Sequence, residues 1–450
     1  MADDPEPTGS PEDADEGAPS HIENPRRAIA TVFAIVFVDL LGFGILIPII
    51  PLYVRSFGAS EFVVGLLVAA YSLFQFFGAP ILGRLSDERG RRPVLLISLA
   101  GSTIAWTLFG LAHALWVLFV ARILAGLMGG NIATAQAYMA DITAPEDRAR
   151  GLGLLGAAFG LGFVFGPALG GVFSAGPVVA SVDGLVPAVV PITEFTLPSF
   201  VAAGVTGLNL VAAFFVLPET RPEGSVPDER SRVQRLRESL SDPTLRGLIL
   251  AFFLFSLAFS GMESMFVLFT KDLYGFGPAA NGYLLAYLGV VIAIVQGGLV
   301  GRLTEVVGER RLAIVGVGIE LFALSLLPFS PALGSVLPAL GPLPVLGTVL
   351  PGTVTALLVV VTVLSVGNGF ANVSLNTLVS RSAGADEQGG AFGLTQSAGS
   401  LARTGGPIIA GALYAAVTYW LPFVVAGLLM LPILAVLVSR RFREGVAVPA

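Results

Sequence analysis

From residue 28 to residue 439 the chain alternates between apolar blocks of about twenty residues and short polar connections. A helix of about twenty residues, rising 1.5 Å per residue, crosses the ~30 Å hydrocarbon layer of a bilayer. The blocks therefore predict twelve spans, near 28–50, 62–82, 93–113, 115–140, 151–173, 198–217, 246–269, 281–301, 312–328, 353–378, 389–414 and 419–439. The expected class is an all-α integral membrane protein.

Composition agrees with the pattern. Hydrophobic residues make up 54% of the 450 and charged residues only 12%, about half the charge that a soluble domain carries. Alternating the spans from Arg26 and Arg27, which precede the first, places 21 of the 25 basic residues on one side. Arg55 and Lys271 fall on the other side, and Arg122 and Arg403 fall within spans. So strong a bias puts both termini in the cytoplasm. The net charge of −6 is uneven, because residues 1–24 hold eight acids and no Lys or Arg. Residues 1–27 are expected to be a disordered acidic tail. Without a basic n-region they do not resemble a cleaved signal peptide.

The chain divides near its middle. Residues 218–245 are the only long charged stretch between spans and are expected to be a cytoplasmic linker with a short amphipathic helix near Arg230–Ser239. Residues 28–217 and 246–439 would then be two six-helix bundles, with 440–450 a cytoplasmic tail. The bundles repeat. Gly83, Arg84, Leu85, Gly90 and Arg92 recur 218 positions later as Gly301, Arg302, Leu303, Gly308 and Arg310, with Asp87 matched by Glu305. A second echo pairs FGPALGG (165–171) with GGPIIAG (405–411) at an offset of 240. The Pro-rich loop 329–352 accounts for the 22 extra residues. It and the outer loop 174–197, both poor in charge, are either partial lids or loose connections. Parallel repeats joined by a linker, with a shared site at mid-membrane, are a transporter design.

Cysteine is absent, which excludes disulfides, thiolate metal sites and Cys nucleophiles. The two histidines, His21 and His113, are too few for a metal centre on facing helices. No metal, cofactor or nucleic-acid partner is expected, and no enzymatic activity. Gly151, Gly153 and Gly156 match G-x-G-x-x-G, but they open a membrane helix where a dinucleotide site needs a strand and a βαβ unit.

The stretch GRLSDERGRRP (83–93), between spans two and three, resembles the signature loop of the major facilitator superfamily. Gly162, Gly166, Pro167 and Gly170 resemble the Gly/Pro motif of that superfamily's proton:drug antiporter branch, a packing and kinking device. Residues 38–54, 121–153 and 267–277 are similar to parts of tetracycline-efflux-type antiporters. The resemblance implies two pseudo-symmetric bundles that rock about a central site, and export more than uptake. It also implies that Gly83, Asp87, Gly90, Arg91 and Arg92 form a gate latching the bundles on the cytoplasmic side when the protein faces outward. Glu88 stands where the family usually has a basic residue, so local pairing is expected to differ.

Charges inside the spans supply the candidate chemistry, since each costs at least ~2.5–3.5 kcal/mol at mid-bilayer unless paired, hydrated or neutralised. Asp39 lies about 16 Å into span one at helical rise. A carboxyl there can bind and release a proton as the cavity alternates between solvents. Glu263 in span seven is a second proton-coupling candidate. Arg122 in span four is expected to interact with Asp39 in one state and release it in another. Arg403 shares a helical face with Gln396 and Ser400 in span eleven, and Asn368, Asn372 and Asn376 form a polar stripe in span ten, either facing substrate or hydrogen-bonding between helices. Arg122, Asn368, Asn372, Gln396 and Arg403 are the candidate substrate-cavity residues. Glu320 in span nine has no evident role.

Together these features predict a monomeric, proton-coupled transporter in the plasma membrane of a prokaryote, driven by the proton gradient and exporting a lipophilic or cationic small molecule. The alternative is an uptake symporter or uniporter for a sugar or organic anion.

Overall fold

A computed structural model describes residues 25–143, 147–187, 189–220, 242–339, 350–382 and 388–439. The acidic tail up to residue 24, most of the linker with its expected amphipathic helix, and the tail 440–450 lie outside the described residues, as does part of the loop 329–352.

Eleven helices among the described residues are long and apolar enough to cross a membrane. The remaining expected span, the eleventh, is the helix Gln388–Ala416 of 29 residues. Gln396, Ser400, Arg403 and its glycines lower its hydropathy, yet it packs between spans two and seven. The spans run Pro25–Leu46, Glu61–Arg89, Arg91–Gly110, Leu115–Ile142, Arg148–Phe173 and Thr196–Val216 in the first half. The second half contains Pro243–Tyr274, Pro278–Val307, Glu309–Gly334, Gly352–Ser382, Gln388–Ala416 and Leu421–Val438.

Packing repeats as the sequence does. Span one lies on span five and span three on span six, as span seven lies on eleven and nine on twelve. The glycine face of span five explains the first of these contacts. A Cβ at Gly166 would stand 2.6 Å from the Gly44 Cα, and one at Gly162 would stand 2.8 Å from the Leu40 side chain. Such close backbone approach makes up for the missing hydrophobic drive between helices in lipid. The helix runs on through Pro167.

Two boundaries differ from expectation. Span one stops at Leu46, and a separate short helix, Ile50–Ser56, follows. Pro48 and Pro51 lack the N–H that an unbroken helix would need. Span two instead continues through the motif to Arg89, so the expected loop shrinks to one residue, Gly90, at φ +101°. Gly308 ends span eight in the same way at φ +83°. Only glycine adopts such angles without strain. Gly90→Ala would also press a Cβ against the Glu219 carboxylate, 2.5 Å away. The variant should lose about 1–3 kcal/mol and melt a few degrees lower in a thermal-shift assay, while Gly83→Ala, with open space around it, should melt like the parent.

The halves meet chiefly through spans two and eleven and spans five and eight. Contact is tight at the end away from the termini. Gly65 lies against the Pro407 carbonyl, Gly411 against the Glu61 carbonyl (2.5 Å from its built Cβ), and Gly171 against Gly282. Toward the terminus-bearing end the same helices separate. Gly83 on span two, Gly153, Gly156 and Gly160 on span five, Gly297, Gly298 and Gly301 on span eight and Gly393 on span eleven have open space where a Cβ would sit. The bundle is therefore closed at one end and open at the end that carries the termini.

Candidate functional site

Span four is interrupted at Gly129 and Gly130, and its second segment starts at Asn131. The interruption brings Asn131, itself buried, beside span one. Its Nδ2 donates to Asp39 Oδ2 at 3.1 Å. Asp39, Leu40, Asn131 and Ile132 form the wall shared by two small adjoining cavities. One continues toward the terminus-bearing end along Ile35, Leu95 and Ala135; the other leads past Phe43, Tyr71, Ser102 and Trp106. The carboxyl thus sits at a junction inside the first half.

Arg122 does not pair with Asp39 in this structure, which shows one state of the two expected. Its partners are aromatic. The guanidinium lies 4.6 Å from the Tyr71 ring centroid and 5.9 Å from that of Phe43. Arg122 is 2% exposed, and its Nε and Nη1 have no hydrogen-bond partner. Stacking returns about 0.5–2 kcal/mol, less than the ~2.5–3.5 kcal/mol that an uncompensated charge costs within a bilayer. The cation is therefore only partly compensated.

Across the midline, Arg403 is half-buried and donates through Nη2 to Ser400 Oγ at 3.1 Å, so these two side chains of span eleven lie together. Glu263, also half-buried, feels the charge of Arg403, although no ion pair forms between them. Tyr71 is within electrostatic reach of Arg122, Asp39 and Arg403 together. It is the side chain on which charges from both halves converge. Gln396 is exposed at the open end.

The asparagine stripe divides. Asn368 is buried and donates to Glu320 Oε1 at 3.0 Å. Of the two roles expected for the stripe, Asn368 thus takes the hydrogen bond between helices in place of the cavity, and Glu320 gains a partner, because spans nine and ten close over both residues. Asn372 accepts from Asn376 of its own helix at 3.1 Å.

The motif at the open end stays within one half. Arg91 pairs with Asp87 and, at 3.0 Å, with Asp141 at the end of span four. Its backbone N–H donates to Glu219 at 2.8 Å, and Arg92 donates to the Phe214 carbonyl at 2.6 Å. Glu88 takes Arg84 at 2.7 Å. None of these partners belongs to the second half, as suits a latch whose two sides have parted. The second half repeats the arrangement with signs exchanged. Arg310 donates to the Leu437 carbonyl at 2.8 Å, and Glu309, at the position of Arg91, pairs with Arg381, at the position of Asp141, at 2.7 Å.

The closed end carries a network that sequence inspection missed. Arg55 bridges Glu61 at 3.2 Å and Asp272 at 2.5 Å, and Tyr414 donates to Asp272 at 2.8 Å. Arg55 and Glu61 come from the first half, Asp272 and Tyr414 from the second. The one hint in the sequence was Arg55 standing, with Lys271, on the side with almost no basic residues.

These features describe two duplicated bundles with unpaired charge at the seam, and comparison with known proteins names the design. The sequence profile of the Major Facilitator Superfamily matches residues 32–362. The chain belongs to that superfamily. It is 31% identical over 396 residues to the tetracycline resistance protein, class C, of Escherichia coli, covering 87% of this chain and 90% of that one. It is 27% identical over 412 residues to multidrug resistance protein 2 of Bacillus subtilis, covering 89% and 93%. Among solved structures, a bacterial homolog of the human lysosomal transporter Spinster superposes with a TM-score of 0.73 at 15% identity, over 95% of this chain and 99% of that one; at that identity the likeness is one of fold. The protein is accordingly a multi-pass membrane transporter for a small molecule, and not an enzyme.

Proposed function

We propose that the protein is a proton-coupled antiporter that exports a lipophilic or cationic small molecule by alternating access. It works as a monomer in the plasma membrane of a prokaryote, with both termini in the cytoplasm. The observation that carries the reading is Asp39, a carboxyl inside the bilayer with an amide partner and no cation, in a bundle open only at the terminus-bearing end.

In this state substrate enters between the halves from the cytoplasm. A proton on Asp39 and one on Glu263 alter the relative stability of the two states, because a ligand shifts such an equilibrium only through its differential affinity. Closing the cytoplasmic end brings the Asp87–Arg92 motif against the second half, while the Arg55–Asp272 network parts. The proton gradient supplies the energy and no cofactor takes part. Efflux relatives support the export direction.

The test is flux in vesicles whose outer face carries the termini. An acid lumen should drive accumulation of a lipophilic xanthene dye, the anion fluorescein or the cation rhodamine 6G, and a protonophore should abolish it. Accumulation only under the reversed gradient would instead mark an uptake symporter for a sugar or organic anion, and flux indifferent to any gradient would mark a uniporter.

A further inference from the structure

The proposed exporter leaves the charge of its substrate open between lipophilic and cationic, and the arginines at the seam narrow the choice. Arg122 offers two buried N–H donors with no acceptor. Arg403, from the other half, spends one hydrogen bond on Ser400 of its own helix. No carboxylate lies within ion-pair distance of either among the described residues. Asp39 is held by Asn131, and Glu263 acts on Arg403 only at longer range. Arg122 lies against the rings of Tyr71 and Phe43, which are 4.9 Å apart, and Tyr71 is within electrostatic reach of Arg403. An arginine kept out of water without a counter-charge is a binding element for a planar anion, because its fork matches a carboxylate or enolate in two parallel hydrogen bonds.

Resting on the exporter reading, we propose that Arg122 and Arg403 together receive the anionic group of a planar, lipophilic substrate whose ring lies against Tyr71 and Phe43, which line a small cavity. The substrate is thus a lipophilic anion and not a cation. An inside-negative membrane potential favours its exit and the proton's entry alike, so the exchange moves charge. Exchange of one proton for a monovalent cation moves none.

Fluorescein and rhodamine 6G share a xanthene frame and differ in the sign of their charge. In fluorescence polarisation with the full-length protein in detergent at pH 7.5, fluorescein should bind at least ~10-fold more tightly than rhodamine 6G. Arg122→Gln should weaken fluorescein binding roughly 10- to 100-fold, the worth of a charge-assisted pair, and so narrow or erase its preference over rhodamine 6G. Arg122→Lys, which keeps charge but loses the fork, should fall between. Should Arg122→Gln fail to fold, Arg403→Gln tests the same site from the other half. Tighter binding of rhodamine 6G, or fluorescein binding indifferent to both arginines, overturns the proposal. In vesicles with an acid lumen, a lumen-positive potential should increase fluorescein accumulation. Rhodamine 6G exported while fluorescein fails to bind removes the anion site and leaves the exporter intact. Fluorescein bound through Arg122 but never driven by a gradient leaves the site and removes the exporter.

Discussion

An Asp39→Asn protein should fold and bind substrate, yet lose gradient-driven accumulation down to the level of protein-free vesicles, a fall of at least ~10-fold. The substitution keeps size and shape. The contact with Asn131, 3.1 Å in the parent, survives because the new amide oxygen can accept from the same Nδ2. What is removed is the capacity to gain or lose a proton. Without that, substrate and proton no longer shift a common equilibrium. Exchange of labelled for unlabelled substrate across a membrane without a pH gradient should persist, since the bundles can still alternate. This pair of measurements separates loss of coupling from loss of structure. Proton-driven accumulation at the parental rate would eliminate Asp39 as the coupling group and leave Glu263 to carry it.

The second large effect concerns the closed end. Gly282 on span eight packs directly on Gly171 of span five, and a Cβ there would stand 2.6 Å from the Pro167 carbonyl. These are backbone atoms, which cannot swing aside as the end of a side chain can. Overpacking of this kind costs about 1–3 kcal/mol. All of it falls on the conformation in which the halves touch at this point. Gly282→Leu should therefore shift the population roughly 5- to 150-fold toward opening at the end away from the termini. The cysteine-free chain makes the shift measurable. Phe43→Cys becomes the sole thiol, and its labelling by a membrane-impermeant maleimide from that side should rise sharply in the Gly282→Leu background. Gly297→Leu, on the same span with open space around it, is the control and should change nothing. Equal labelling in all three backgrounds would mean that the Gly171–Gly282 contact does not gate access.

The exchanged signs at the open end bear on the same equilibrium. Arg91–Asp141 in one half and Glu309–Arg381 in the other present opposite charges at equivalent positions. A duplicated scaffold with such a swap can bring unlike charges together when the end closes, where identical copies would oppose like with like.

Much of the molecule was legible in the amino-acid order alone. A bilayer imposes a length and an apolarity on every segment that crosses it, so the spans appear in one dimension. Duplication appears there too, since Gly90 and Gly308 hold positive φ wherever the repeat places them. So do the ionisable residues Asp39, Arg122, Glu263 and Arg403, because any charge inside an apolar block is conspicuous. Their partners were not legible. Sequence position sets depth along a helix to about 1.5 Å per residue, but a hydrogen bond also requires the rotation of that helix and the choice of its neighbour to be right to a fraction of an ångström. Tertiary packing therefore decided that Asp39 meets Asn131 and not Arg122, that Glu320 captures Asn368, and that Arg122 stacks on Tyr71. It also decided which end is shut: one sequence serves both states, and only the contacts between halves, Gly65 on Pro407 and Gly171 on Gly282, distinguish them.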